Sequence, residues 1–259
     1  MIKSVIKKIE IRGQEKVCLG IDIMPGDKLL IVSPHPDDES IGCGGLIAQY
    51  ASQCDVLLIT DGGTGNPEWS YEKTAEVRSR EFQNTMRMAA VNKSIQLKCR
   101  CGEYRKLRRT KIGMDLSVYQ HIFIPNSREN HIEHKIVHQI IIRAVRQQHI
   151  HSNVYEYEVW TPMYKITNYL DISQYKEKKV ELISNYKCQL KHIDYISAII
   201  GLNCYRGMQY HIRYAEGYKK YKGICSKMID RSCGVLSKGV PLLYRIHGWL
   251  KGKVTGYER

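Results

Sequence analysis

Residues 29–45 read LLIVSPHPDDESIGCGG and join two kinds of sequence that are seldom adjacent. A short apolar run ends at Pro34, which predicts a buried β-strand followed by a turn. His35, Asp37, Asp38 and Glu39 then crowd one loop, and a glycine-rich helical segment follows. Carboxylates this close repel each other unless a cation or a proton lies between them. The sequence therefore predicts a strand–loop–helix unit with a counter-charge bound at the loop.

Strand-like and helix-like segments continue to alternate along the chain after this unit. We predict strands over 28–33, 55–60, 119–125 and 154–160, and helices over 40–53, 70–91, 131–148 and 173–195. Such alternation is typical of a parallel sheet covered by helices. The predicted fold is a Rossmann-like three-layer α/β sandwich, with a mostly parallel central sheet and helices on both faces. Ligands of such sheets bind beyond the carboxyl ends of the strands, where the acidic loop lies.

The 259 residues suffice for one large domain, which we place at residues 1–217, and a basic extension at 218–259. We see no apolar run of about 20 residues that could span a bilayer. The first twenty residues carry charges throughout and do not resemble a secretory signal peptide. Nine cysteines without an export signal indicate reduced thiols with no special role, and a cytoplasmic protein.

The net charge of +14 is concentrated in two segments. Seven basic residues and one acidic residue lie between Lys98 and Lys111, and ten basic and two acidic residues lie between Tyr218 and Arg259. Such clusters suit anionic partners, although a solvated surface explains them equally well. Residues 241–253, PLLYRIHGWLKGK, combine apolar and basic side chains as membrane-interfacial segments do, or form a helix packed on the domain.

The acidic loop has the residue types of a divalent metal site. An imidazole and carboxylates with one open position are typical of catalytic zinc, and the segment NHIEH adds His131 and His134 after a later strand. Each piece also has a structural explanation. The carboxylates could be acids at a helix N-terminus, and the two histidines could lie on the surface.

The chain resembles the LmbE/PIG-L family of N-acetylglucosaminyl deacetylases. The resemblance rests on SPHPDDESIGCGG, ITDGGTG, RSREF and HIEH, and on weaker likeness as far as YRGMQYHIRYAEGY. It implies that His35, Asp38 and His134 bind Zn²⁺ and that Asp37 is the general base. It also implies that a cationic His131 polarises or protonates the substrate. The mixed nitrogen and oxygen ligands would also accept iron, cobalt or nickel.

The resemblance is less complete around the substrate. It implies that Arg78 contacts substrate hydroxyls or an anionic aglycone and that Glu81 helps to place Arg78. A salt bridge of Arg78 on the helix surface is an equal alternative. The family often carries an aspartate in a PDG segment after its third strand, for which Asp115 is a weak candidate here. Glu133 replaces an aspartate beside the histidines and could orient one imidazole.

The implied function is zinc-dependent hydrolysis of the acetamide of an N-acetylglucosamine-type sugar. The sugar would belong to a surface polysaccharide precursor, a glycolipid or a thiol cofactor. A hydrolase of the same fold that acts on another amide or an ester is an alternative. A nucleic-acid-binding protein, suggested by charge alone, is a third, and the chain has no recognisable nucleic-acid-binding motif. A basic tail that anchors would place the enzyme at the inner face of the membrane.

Overall fold

A computed structural model describes residues 18–222, whose centre is one eight-stranded sheet. In chain order the strands are β1 (Leu19–Gly20), β2 (Leu29–Ser33), β3 (Cys54–Thr60), β4 (Lys93–Cys99), β5 (His121–Pro125), β6 (Asn153–Tyr157), β7 (Asn168–Asp171) and β8 (Ala215–Lys220). Their order across the sheet is β1-β7-β8-β6-β5-β2-β3-β4. All neighbouring strands are parallel except that β8 runs antiparallel to β6 and β7. The predicted α/β fold with a mostly parallel sheet is confirmed.

Seven helices connect or flank these strands within the described residues. They are α1 (Asp38–Tyr50), α2 (Tyr71–Ala89), α3 (Tyr104–Arg109), α4 (Ile132–Gln147), α5 (Lys176–Ser184), α6 (Lys187–Leu190) and α7 (Tyr195–Met208). Helix α5 packs against α1, α2 and α7, whereas α3 packs against α4. The alternation read from the sequence is therefore present from β2 to β6.

The central strands are buried on both sides, which explains why they read as uninterrupted apolar runs. Successive side chains of a strand point to opposite faces of the sheet. In β2, Leu29 and Ile31 join the core cluster that includes residues of α1 and α5, whereas Leu30 and Val32 lie on the other face and are equally buried. Packing on both faces holds β2 in place. It therefore fixes the position of the acidic loop, which follows the carboxyl end of this strand.

The glycines of the GCGG segment lie inside α1, within the helix predicted over 40–53. A Cβ atom at Gly42 would lie 2.3 Å from the Tyr157 ring, and one at Gly45 would lie 2.3 Å from Ile172 Cγ2. Helix α1 is also interrupted at Cys43, whose φ of −132° and ψ of 18° are not helical. The glycines thus let a broken helix approach the sheet and α5 closely.

The single helix predicted over 173–195 is wrong, because the structure has two helices there. Helix α5 ends at Ser184 and α6 begins at Lys187. The interruption lets Tyr186 enter the core, where its side chain is 1% exposed and its hydroxyl donates to the Glu39 carboxylate. A continuous amphipathic helix would not bring this tyrosine beneath the acidic loop.

The expected domain boundary at residue 217 falls inside β8, so residues 218–220 belong to the sheet. The remainder of the proposed extension from residue 223, and the N-terminal segment 1–17, lie outside the described residues, and the expectations about them stay predictions. Between residues 18 and 222, no helix combines the length and the apolar character needed to cross a membrane.

Candidate functional site

The loop between β2 and α1 has an unusual backbone conformation at Asp37. Asp37 is the residue before α1 and has a φ of 131° and a ψ of −31°, a region that side chains other than glycine seldom adopt. Its side chain makes no hydrogen bond that caps the helix. Strain of this kind costs about 1–3 kcal/mol and tends to persist where function requires the geometry. The loop therefore has a reason other than helix capping to hold Asp37 in place.

Three side-chain atoms, two from the loop after β2 and one from the first turn of α4, form a nearly equilateral triangle. The Nδ1 atom of His35 lies 3.2 Å from Asp38 Oδ2 and 3.1 Å from His134 Nε2. The third edge, from His134 Nε2 to Asp38 Oδ2, is 3.1 Å. The three atoms meet because β2 and β5 are neighbours in the sheet. The chain leads from β2 to His35 and Asp38, and from β5 to His134. In a tetrahedral zinc site with bonds of about 2.1 Å, ligand atoms lie about 3.4 Å apart, so this triangle is close to the size of such a site.

The charges within the triangle are strongly coupled. Burial alone would raise the pKa of Asp38, but the charge of His134 and hydrogen bonds from both imidazoles lower it far below the ordinary range. Burial would lower the pKa of His35, but hydrogen bonds with Asp38, Cys101 and Glu133 raise it well above 6.5. The surroundings therefore favour an ionised Asp38 and a protonated His35. A cation between them would neutralise the carboxylate and take the place of the imidazole proton.

His131 completes a group of three histidines whose ligand atoms lie within 4.8 Å of one another, with His35 and His134. Its Nδ1 atom accepts a hydrogen bond from the backbone N–H of Glu133 at 3.3 Å, at the start of α4. A neutral His131 therefore carries its proton on Nε2. Burial and the two neighbouring imidazoles lower the pKa of His131 to about 4. These neighbours favour the neutral form of His131, and the cationic His131 that the resemblance implies stays a prediction.

Two glutamates lie outside the triangle, and one of them orients the His35 imidazole. Glu133 Oε2 lies 2.7 Å from His35 Nε2, and Glu133 Oε1 accepts the backbone N–H of Gly102 at 2.8 Å. Burial would raise the pKa of Glu133, but its hydrogen bond with His35 and the charge of that imidazole lower it to about 2. Glu129 Oε2 lies 3.7 Å from His134 Nδ1. The contact of Glu133 fixes the orientation of the His35 ring and raises the basicity of its opposite nitrogen, whereas Glu129 is too far from His134 for a hydrogen bond.

Asp37 turns away from the triangle toward Arg78. The Arg78 guanidinium donates to Asp37 Oδ2 at 3.1 Å and to the carbonyls of Pro36 at 2.7 Å and Gly62 at 3.2 Å. Burial raises the pKa of Asp37 to about 7 against the opposing charge of Arg78. A Cβ atom would lie 2.8 Å from Arg78 Nη1 if it were added at Gly62, and 2.3 Å from it if it were added at Gly65. Both glycines therefore make room for the guanidinium beside Asp37. Arg78 is 4% exposed and does not form the helix-surface salt bridge considered above.

Glu39 is wholly buried and points away from the metal-sized triangle. Its carboxylate accepts the hydroxyl of Tyr186 and lies 2.8 Å from Ser40 Oγ and 2.9 Å from Ser33 Oγ. Burial raises the pKa of Glu39. It therefore holds the loop to the core, as expected of a residue that does not bind metal.

Two of the expected substrate residues lie outside the site. Glu81 Oε1 accepts the backbone N–H of Cys188 at 2.9 Å near the start of α6, and Glu81 does not line the cavity. Asp115 is exposed and its Oδ1 atom accepts the backbone N–H of Ser117 at 2.8 Å. Neither carboxylate is available to a ligand beside the triangle, so we retain neither as a substrate contact.

A cavity of about 180 Å³ opens onto the triangle. One wall is polar and consists of His35, Asp37, Asp38, Arg78 and His131. The other wall is largely apolar and consists of Ile41, Trp160, Ile193 and Tyr195. Trp160 is 44% exposed at the rim and meets Tyr195 edge to face, with 5.6 Å between the ring centroids. The sequence predicted neither this apolar wall nor Cys101, which lines the cavity beside His35.

The signals for these missed residues are weak or absent. Trp160 and Tyr195 come from the second half of the chain, where no motif marks them. Cys101 stands after β4, where the resemblance implies the aspartate of a PDG segment, and only the glycine at Gly102 hints at that alignment.

Comparison with known proteins agrees with this geometry. The family model described as PIG-L, GlcNAc-PI de-N-acetylase, matches residues 30–145. The N,N'-diacetylchitobiose deacetylase of Pyrococcus horikoshii shares the fold at 23% identity and a TM-score of 0.65, over 76% of this chain and 84% of that chain.

Two further solved structures show the range of proteins with this fold. The 4-carboxy-2-hydroxymuconate hydratase of Pseudomonas putida has 18% identity and a TM-score of 0.60, over 75% and 95% of the two chains. The zinc-inhibited form of a teicoplanin deacetylase has 10% identity and a TM-score of 0.53, over 76% and 99%. The loop after β2 and the start of α4, which form the triangle, both fall within the segment that the family model matches. Residues 30–145 therefore form a domain of the PIG-L/LmbE family of deacetylases.

Proposed function

We propose that this protein is a metal-dependent N-deacetylase that hydrolyses the acetamide of an N-acetylglucosamine-type sugar within a glycoconjugate. The products are acetate and the free amine. The observation that carries the proposal is the pairing of two different carboxylates in one cavity. Asp38 lies in a triangle of cation-binding atoms, and Asp37 beside it has a raised pKa and a separate partner in Arg78.

The residues of the triangle fit a divalent ion. Two imidazole nitrogens and one carboxylate oxygen converge with edges of 3.1–3.2 Å, and the cavity adjoins them. We assign His35, Asp38 and His134 as the ligands and zinc as the ion, with iron, cobalt or nickel as alternatives that such ligands accept. A bound ion of this kind polarises a carbonyl group and lowers the pKa of a bound water molecule.

The residues around the triangle account for the proton transfers. Asp37 takes a proton from the water that attacks the acetamide carbon, and its pKa of about 7 suits both gain and loss of that proton near neutrality. When the C–N bond breaks, Asp37 gives the proton to the leaving nitrogen. His131 donates its Nε2–H to the carbonyl oxygen as negative charge develops there, because its Nδ1 is already engaged as an acceptor.

The shape of the cavity supports a sugar-sized ligand with a larger remainder outside. Its volume of about 180 Å³ is below the roughly 300 Å³ at which pockets for whole drug-sized ligands begin. The acetamido group and part of one ring would enter, and the rest of the glycoconjugate would extend past the exposed rim at Trp160. Arg78 lines the cavity, but its contacts to Asp37 and to backbone carbonyls make it a positioning residue for the base.

Relatives support the substrate class by the names they carry. One has the fold and is an N,N'-diacetylchitobiose deacetylase, and the family model is described as a GlcNAc-PI de-N-acetylase. The hydratase with the same fold favours a second candidate, in which this cavity acts on a different carbonyl compound or on another amide or ester.

Acetate release from N-acetylglucosamine conjugates by the protein loaded with one equivalent of zinc tests the proposal. The Asp37→Ala variant should keep that zinc and lose at least about 100-fold in activity, as expected for loss of a general base. The His134→Ala variant should lose the zinc bound by the triangle and, with it, the activity. Asp115→Ala is the matched control, since this aspartate is exposed and outside the cavity. Full activity of Asp37→Ala, or no acetate from any conjugate by a zinc-loaded wild type, would overturn the proposal.

A cytoplasmic location and membrane attachment through the basic tail remain predictions from the sequence, because residues 223–259 lie outside the described part of the chain. If the tail anchors the enzyme, sedimentation with vesicles should require anionic lipid and should weaken when the tail is deleted. Equal sedimentation of the two proteins would contradict the prediction.

A further inference from the structure

We propose that Cys101, Glu133 and His35 form a second metal-binding site, which takes a thiophilic divalent cation such as Zn²⁺ or Cd²⁺ and inhibits the enzyme when it is occupied. The site itself does not depend on the proposed function, and only its inhibitory consequence rests on that function. Cys101 and Glu133 lie on the Nε2 side of the His35 ring, whereas the triangle uses Nδ1 of the same ring.

The three ligand atoms of this second site already converge. Cys101 Sγ lies 3.0 Å from Glu133 Oε2, and His35 Nε2 lies 2.7 Å from the same oxygen. All three atoms lie within 4.8 Å of one another, and none of the residues is more than 7% exposed. One thiolate, one imidazole and one carboxylate make a ligand set that zinc accepts and that magnesium or calcium does not favour.

The backbone holds Cys101 in this position independently of its thiol. Its N–H donates to Asp61 Oδ1 at 3.1 Å, and the next N–H, of Gly102, donates to Glu133 Oε1 at 2.8 Å. Tyr71 also donates its hydroxyl to Asp61 Oδ1 at 2.6 Å, so that carboxylate is itself fixed. Such anchoring lowers the cost of ordering the ligands when an ion binds.

The cluster needs only a small expansion to hold an ion. In the absence of a metal, the thiol and the His35 Nε2–H can both donate to Glu133 Oε2. A cation replaces these two protons, which pass to solvent, and with both sites occupied His35 becomes an imidazolate shared by the two ions. With metal–sulfur and metal–oxygen bonds of about 2.3 and 2.1 Å, the sulfur and oxygen would move to about 3.6 Å apart. Thr64 also lines the cavity, and its Oγ1 lies 3.0 Å from the sulfur.

Occupation of this site would inhibit hydrolysis for two reasons. Cys101 lines the cavity, so an ion on its sulfur would take up space that the substrate needs. The ion would also remove the hydrogen bond by which Glu133 orients the His35 ring, and such bonds typically matter for affinity by about 10–100-fold.

Stepwise addition of Co²⁺ to the full-length metal-free protein tests the proposal. The first equivalent should bind without a thiolate-to-metal charge-transfer band, because the triangle contains only nitrogen and oxygen. The second equivalent should produce that band. In Cys101→Ser the band and the second equivalent should both be lost. Cys99→Ser is the matched control, since Cys99 Sγ contacts Thr110 at 3.5 Å and does not line the cavity.

Several results would overturn the proposal. They are a band that persists in Cys101→Ser, a wild type that binds one equivalent only, and a band that appears with the first equivalent. X-ray absorption of the wild type with two equivalents of zinc gives a second measurement that needs no variant. It should show a zinc–sulfur distance of about 2.3 Å, and spectra with only nitrogen and oxygen neighbours would contradict the site.

Activity measurements separate this site from the proposed function. If acetate release is observed, a second equivalent of zinc should reduce it in the wild type and in Cys99→Ser, and should not reduce it in Cys101→Ser. Equal inhibition of all three proteins would refute the inhibitory role. If no conjugate is hydrolysed but the charge-transfer band follows the pattern above, the proposed function fails and the second metal site stands.

Discussion

Removal of the Lys179 ammonium should destabilise the protein strongly, because this charge is buried with one carboxylate as its partner. Lys179 and Glu216 are 0% and 1% exposed, and their Nζ and Oε1 atoms lie 2.7 Å apart. Glu216 also accepts the backbone N–H groups of Gly45 at 2.7 Å and Leu46 at 3.0 Å, and the hydroxyl of Tyr218 at 2.7 Å. It thereby caps the second half of α1, after the interruption of that helix.

The magnitude follows from the geometry of this pair. At 2.7 Å and an effective dielectric constant of about 20, the attraction between the two charges is about 6 kcal/mol, much of which offsets the cost of their burial. Lys179→Met leaves the Glu216 carboxylate buried without its counter-charge. Loss of one partner of such a pair typically costs about 3–5 kcal/mol. This is a large part of the roughly 5–15 kcal/mol by which most domains are stable.

A double-mutant cycle measured by urea unfolding tests this reasoning. We expect Lys179→Met and Glu216→Gln each to lower the free energy of unfolding by about 3–5 kcal/mol. The double variant contains neither charge, and the amide that replaces the Glu216 carboxylate leaves one backbone N–H poorly paired, at a cost of about 1–3 kcal/mol. It should therefore be more stable than either single variant.

Additive losses in the double variant would refute the argument, because they would show that the two charges do not compensate each other. A loss below about 1 kcal/mol in Lys179→Met would refute it as well, since that is the range of exposed pairs. Lys178→Met is the matched control: Lys178 contacts Glu181 at 3.0 Å on the surface, and its loss should change stability by less than about 1 kcal/mol.

Three further predictions concern single positions. Gly45→Ala should lower the free energy of unfolding by about 1–3 kcal/mol, because its Cβ would meet Ile172. Gly201→Ala should raise that free energy by about 0.5–1 kcal/mol, because there is open space around Gly201 in α7. Urea unfolding measures both. Burial lowers the pKa of His138, so the unfolded chain binds the proton more readily and stability should decline as the pH falls below about 6.5. Unfolding of His138→Gln across about pH 5–8 should show a smaller decline, and equal slopes would contradict this. At Asp37, with its φ of 131°, Asp37→Gly should be more stable than Asp37→Ala by about 1 kcal/mol, and the reverse order would show that the backbone is not strained.

The parts of the fold that the sequence predicted are those with a local pattern. Strands β2, β3 and β5 are fully buried, and their apolar runs are visible without knowledge of their neighbours. Strand β4 was missed because it lies at the edge of the sheet and its residues are exposed or half-buried. Strand β8 was missed because its sequence AEGYKK is polar. Its buried glutamate is tolerable only because Lys179 reaches it from α5, and no local pattern reports that contact.

The same distinction explains which site residues could be predicted. His35, Asp38 and His134 occur in two compact motifs at the ends of neighbouring strands, so their convergence follows from parallel sheet geometry. Cys101 reaches His35 only because Asp61 and Glu133 bind the backbone around it. That arrangement depends on three loops at once. A thiol in such a setting has no signature that distinguishes it from the other cysteines of the chain.

Adjacent aspartates at the end of β2 acquire different chemistry through their surroundings. Asp38 faces two imidazoles, and their charges and hydrogen bonds lower its pKa far below the ordinary range despite burial. Asp37 is buried as well, and its pKa is raised to about 7 with Arg78 as its partner. Opposite shifts in neighbouring carboxyl groups are the arrangement that separates a ligand from a base. The backbone makes the separation possible, because the unusual φ at Asp37 directs its side chain toward Arg78 and leaves Asp38 to the histidines. The strained residue is therefore what allows two consecutive positions to serve two functions in one cavity.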